Sequence, residues 1–79
     1  MNKSKILKFD LPESLYKSFV MNCDLLDINV LSSYKEDRLL SEDSIVVIIK
    51  ITEKPNEPGI QFYEDKINEK YGKFLEEDN

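Results

Sequence analysis

SEDSIVVIIKIT, residues 41–52, decides how the chain is built. From Ile45 to Ile51 it holds six β-branched apolar side chains, interrupted only by Lys50. The run is apolar on both faces and too short for a buried helix of ordinary length. It therefore predicts a central strand, covered on both sides or sitting at a dimer interface. The polar stretch before it, around Glu36–Asp37 and Ser41–Asp43, reads as a connection. After it, Glu53–Gly59 holds two prolines and a glycine and predicts a loop, with Pro58 suited to the start of the next helix.

Upstream, residues 5–11 (KILKFDL) alternate. Leu7, Phe9 and Leu11 point one way, and Ile6, Lys8 and Asp10 the other, which is the period of a half-buried strand. Pro12 stops a ladder and suits a first helical turn. Asp10 stands three residues before Glu13, the spacing of a capping box. Residues 13–26 follow as a helix with Leu15, Phe19, Cys23 and Leu26 in one stripe. A turn is expected over Asp27–Asn29, with Asn29 suited to a left-handed conformation. Residues 28–43 fit two readings. As a strand, Ile28, Val30 and Tyr34 share one face; as a helix, Leu31, Tyr34 and Arg38 or Leu39 form a poor stripe. The β-branched start and the serines favour the strand. Downstream, residues 60–75 give a second amphipathic helix along Ile60, Tyr63, Ile67, Tyr71 and Phe74. The predicted fold is a single α+β domain over residues 1–79, in the order β-α-β-β-α. Its three-stranded sheet has 45–51 in the centre and two helices packed on it. The basic end 1–8 and the acidic tail 76–79 are expected to be mobile. If both helices lie on one face, the other is left for a partner or a second copy.

Composition narrows the function. Seventy-nine residues form one small domain, and a single cysteine rules out an internal disulfide. One thiol and no secretory signal fit a cytoplasmic protein. No apolar run is long enough to span a membrane. Without histidine there is no Ser-His-Asp or Cys-His nucleophile, and two glycines make no phosphate loop. A structural metal and a cofactor are not expected. The adjacent acidic pairs, Glu64-Asp65 among them, match no metal loop and read as solvated surface. Cys23 falls on the apolar stripe and reads as core filler. The chain is thus expected not to be an enzyme.

The net charge of −5 is uneven: +2 over residues 1–20, −3 over 21–52 and −4 over 53–79. An acidic surface suits a protein partner with a basic surface, and it also serves plain solubility. These features suggest a small regulator or inhibitor of a macromolecular partner, of the sort found in phages and mobile elements. The expected contact residues are Phe62, Glu64, Asp65 and Glu69.

Residues 5–34 also resemble the opening of a ribbon-helix-helix protein, the fold of many small repressors and antitoxins. Leu7, Phe9, Leu11 and Pro12 match the strand and its stop; Glu13, Leu15, Phe19 and Cys23 match the first helix. Asp27-Ile28-Asn29-Val30 stands where that family turns, with Asp27 in place of the usual glycine. The resemblance implies a dimer that reads DNA through paired strands, a second helix beginning near Leu31, and Lys3, Lys5 and Lys8 as DNA contacts. Ile6 and Asp10 are poor groove readers, and the negative charge opposes phosphate binding.

Overall fold

The structure is a computed structural model that describes residues 3–36 and 43–76. The elements are β1 (Ser4–Pro12), α1 (Glu13–Leu25), β2 (Asn29–Glu36), β3 (Ser44–Thr52), α2 (Ile60–Tyr71), a 3-10 turn (Gly72–Phe74) and β4 (Leu75–Glu76). They form an α+β domain whose four strands lie in the order β2-β3-β1-β4, each antiparallel to its neighbours. β1 and β2 both oppose β3, so they run parallel, joined by α1 with β3 between them. β3 and β4 are likewise parallel, joined by α2 with β1 between them. Two interleaved split β-α-β units are the ferredoxin-like arrangement.

The sequence predicts three strands, and the structure has four. The helix expected over 60–75 stops at Tyr71, and the chain tightens through Gly72–Phe74 before turning extended at Leu75. β4 is two residues long, too short to leave a period-two pattern. Leu75 pairs with Phe9 and Glu76 with Lys8. Ser4–Lys8, expected to be mobile, belong to β1. Residues 77–79 of the expected tail lie outside the described residues.

β3 is central, as the apolar run implies, and shares that place with β1. The two strands pair along their whole length, from Ser4 opposite Thr52 to Pro12 opposite Ser44. Their inward side chains, Leu7, Phe9 and Leu11 with Val47, Ile49 and Ile51, form the floor of the core. Both helices cover this one face, with Phe19 and Cys23 from α1 and Ile67 and Tyr71 from α2. The Phe19 ring packs against Phe9 on one side and Tyr71 on the other, each at a centroid distance of 5.0 Å. The Tyr71 hydroxyl accepts a bond from Asn22 Nδ2 (3.1 Å) and shares one with Ser18 Oγ (2.9 Å), which fixes α2 to α1.

Helix α1 follows β1 without a linker. Pro12 is its N-cap rather than its first helical residue, and no side chain caps it. Asp10 is part of the ladder, opposite Val46, so the expected capping box is not made. The Glu13 N–H instead donates to the Asp43 carbonyl at 3.1 Å. At the other end the left-handed residue is Asp27 (φ 58°), not Asn29. The Ile28 N–H then returns to the Cys23 carbonyl at 2.8 Å, and the Asp27 carboxylate pairs with Lys54.

Residues 29–36 form the strand favoured by their β-branched start, with one irregularity. Val30 pairs with Ile49 but Ser32 pairs with Ile48, so Leu31 is an extra residue. This β-bulge reverses the parity expected from the sequence. Val30 stays with the inward row, whereas Tyr34 moves to the outward row opposite Val46. β2 is also an edge strand exposed along all eight residues, and a bulge is one of the devices that discourages pairing at such an edge.

Phe19 is fully buried and Ile6 is 59 % exposed. Phe19→Ala should therefore lower the unfolding free energy by about 3–5 kcal/mol. Ile6→Ala should change it by less than about 0.5 kcal/mol. Urea denaturation of the two variants beside the parent chain measures both.

Candidate functional site: the sheet face opposite the helices

With both helices on one face, the other face is set by strand parity. Antiparallel partners project to the same side, so the outward residues form rows across the sheet. Lys50 stands between Asn29 and Ile6. Ile48 stands between Ser32, with the extra Leu31 beside it, and Lys8. Val46 stands between Tyr34 and Asp10, and Ser44 between Glu36 and Pro12. Glu76 extends the second row beyond Lys8, and the two are joined by an ion pair of 3.4 Å.

The centre of this face is apolar. Val46 (2 %) and Ser44 (5 %) are buried and Ile48 is half-buried, while Ile6 (59 %), Leu31 (50 %) and Tyr34 (49 %) are open to solvent. Lys8 and Lys50 lie towards one end of the strands, with Glu76 beside Lys8, and Asp10 and Glu36 lie towards the other. Among the described residues neither Lys50 nor Glu36 takes part in an ion pair. These three large apolar side chains near half exposure stand on different sides of Ile48, and exposed apolar patches mark interaction surfaces.

The residues singled out from the sequence divide differently. Phe62, Asp65 and Glu69 do come together on the outer side of α2. With Lys66 they line a shallow depression of about 250 Å³. Phe62 is 44 % exposed there, with the Lys66 ammonium 5.4 Å from its ring centre. Gln61 Nε2 donates to Asp65 Oδ1 at 2.8 Å. Glu64 is not part of this surface. It is buried on the inner side of the helix and accepts two bonds from Lys5 Nζ, at 2.8 and 3.1 Å. The neighbouring carboxylates Glu64 and Asp65 thus point to opposite sides of α2.

Lys5 reaches Glu64 on the helix-covered face and Lys8 reaches Glu76 on the open face, so successive parity separates them. Lys3 is exposed, and its carbonyl accepts the Glu53 N–H at 2.8 Å. The strand carrying these lysines is flanked by β3 and β4 of its own chain, and the second helix implied near Leu31 is strand β2.

The described residues hold twelve acids and ten lysines, so most of the net negative charge falls on 37–42 and 77–79. Several of the charges that remain are locally paired. Lys35 lies 3.4 Å from Asp43 and 3.7 Å from Glu13, tying β2 to the start of α1. Among the described residues no three His, Cys, Asp or Glu side chains group as metal ligands. No helix there is long and apolar enough to cross a membrane.

The sequence did not point to Leu31, Tyr34 or Ile48 as surface residues. Ile48 is hidden in an all-apolar run, and the bulge that turns Tyr34 outward has no residue-type signature. Comparison of the chain with protein-family models, curated proteins and solved structures finds no match.

Burial pushes the Cys23 thiol from about 9 up to about 11. Native protein at pH 8 should therefore leave a disulfide reagent unconsumed, and denatured protein should react within minutes. Above about pH 9 the unfolded chain loses this proton while the folded chain keeps it. The stabilising contribution of the neutral thiol is thus present below pH 9 and lost as the pH rises towards about 11. Parallel urea titrations of the parent and Cys23→Ala from pH 8 to 11 should show the parent losing more stability.

Proposed function

We propose that this chain is a protein-binding module without catalytic chemistry, a small regulator or inhibitor whose contact surface is the exposed apolar part of the sheet face opposite its helices. The observation that carries this reading is the placement of the exposed Ile6, Leu31 and Tyr34 around the half-buried Ile48, on the side of the sheet opposite the helix-packed core of β1 and β3. Covering these side chains removes apolar area from water at roughly 25 cal/mol per Å² before the costs of association. Tyr34 suits such a surface, because its ring can be buried while its hydroxyl finds a partner.

The charge of the face refines the choice of partner. Lys8 and Lys50 share it with Asp10, Glu36 and Glu76, so a partner surface of mixed charge fits it better than a uniformly basic one. The Phe62 depression on α2 is a smaller, second surface and faces away from the sheet.

A photo-crosslinking residue placed at position 6 or 34 tests the reading in cells of the source organism. Adducts of defined mass should form at both positions, and none at Lys17 on the exposed side of α1. Adducts at position 62 with none at 6 or 34 would move the binding surface to α2. Absence of adducts at all three would end the protein-binding reading.

A further inference from the structure

We infer that this chain dimerises through the free edge of β2, which pairs antiparallel with β2 of a second copy and joins the two sheets into one. The inference stands apart from the reading of the sheet face, because it concerns the edge of the sheet and its backbone groups. The two edges differ. β4 holds two residues, and a very short strand is one way an edge is kept from pairing; β2 holds eight, all exposed, with only β3 beside it. The Leu31 bulge sits near the start of β2, and from Ser32 to Glu36 the register runs without a break. Lys35 is the single lysine of the strand and the kind of residue that guards an edge. Its ammonium is instead held by Asp43 beside β3 and Glu13 of α1, at 3.4 and 3.7 Å.

Symmetry limits the register. A two-fold axis perpendicular to the sheet keeps every side chain on its own face, so outward residues must meet outward ones. With the axis at Ser33, that residue meets its own copy. Ser32 and the bulged Leu31 then lie beside the second copy's Tyr34, Val30 beside its Lys35, and Asn29 beside its Glu36. Each pair shares a face: Ser32, Tyr34, Asn29 and Glu36 are outward, Val30 and Lys35 inward. An aromatic ring beside a leucine is a favourable cross-strand pair, and no like charges stand opposite each other. The Asn29 amide can donate to the carboxylate of Glu36, which takes part in no ion pair among the described residues. An axis at Tyr34 would instead leave Asn29, Val30 and Leu31 beyond the end of the second copy's strand.

Size sets the strength. An edge pairing of two strands, each about 26 Å long, buries less than the roughly 1,200 Å² of standard interfaces. The dissociation constant should therefore be on the order of 100 µM. The buried Val46 and Ser44 lie outside this interface, as does the Lys8–Glu76 pair on β1 and β4. All four helices of the dimer lie on one side of a continuous sheet. On the other side, Leu31 and Tyr34 of the two copies meet at the seam.

Sedimentation equilibrium from about 10 µM to about 2 mM, with the circular dichroism of each variant checked, tests this. The parent chain should pass from monomer to dimer, and Tyr34→Glu should raise the dissociation constant roughly tenfold. Oxidation of cysteine variants locates the contact. Ser33→Cys sets two thiols opposite each other on the axis, within disulfide reach, and should give a covalent dimer. Asn29→Cys is on the same exposed strand but more than about 20 Å from its copy, and should not. A parent that stays monomeric to about 2 mM overturns the inference but leaves the crosslinking result at positions 6 and 34 to decide the wider reading. A dimer that Tyr34→Glu leaves unchanged, that Ser33→Cys does not link, or that Asn29→Cys links equally well also overturns it, because the copies would meet elsewhere or in another register.

Discussion

The contact on which the rest of this small domain depends is the stack of Phe9, Phe19 and Tyr71. Phe9 belongs to a central strand, Phe19 to the helix that follows it and Tyr71 to α2 some fifty residues later, and the three meet in one line of rings. The Tyr71 hydroxyl is buried with its ring yet keeps two polar partners on α1, which offsets the cost of taking it out of water. The lysine–carboxylate pair of Lys5 and Glu64 adds a second tie between β1 and α2 at the edge of the same core. A domain of this size has little apolar interior to spare, and most of it is gathered around these rings.

Why one sheet face is packed and the other left open follows from connectivity. The crossover from β1 to β2 passes over β3; the crossover from β3 to β4 passes over β1, in the opposite direction, from a strand running the opposite way. Both reversals together preserve handedness, so two right-handed crossovers must lie on the same side. Among the described residues no helix lies on the other side. The doubly apolar character of β3 is the trace of this in the sequence: Val47, Ile49 and Ile51 serve the helices, while Val46 and Ile48 serve the face the helices cannot reach.

Those features with a strong local period were legible in the sequence. β1 alternates cleanly, both helices carry continuous stripes, and β3 is unmistakable. The departures have particular causes. β4 holds two residues and is defined only by what it pairs with. The bulge at Leu31 is set by the register of a distant strand, so the outward position of Tyr34 could not be read from its neighbours. Glu64 is different, because its position was legible: it lies four residues after Ile60 and three before Ile67, squarely on the buried stripe of α2. Charge suggested an exposed contact where spacing pointed inward, and Lys5, the partner that reconciles the two, is fifty-nine residues away. The α1 cap illustrates the same competition. Asp10 had the right spacing to Glu13, but ladder pairing with β3 held it in the strand.

The pairing of β1 with β3 also sets an order of events. β1 is made before either of its sheet neighbours, and its partner follows only after a helix and another strand have been synthesised. Until then α1 can form locally, but Leu7, Phe9 and Leu11 have no strand beside them. Helix first and sheet last is a high-contact-order route, slower than that of a helical bundle of equal length. β1 and β2 run parallel with β3 between them, so neither can form its ladder before Ile45–Ile51 is in place.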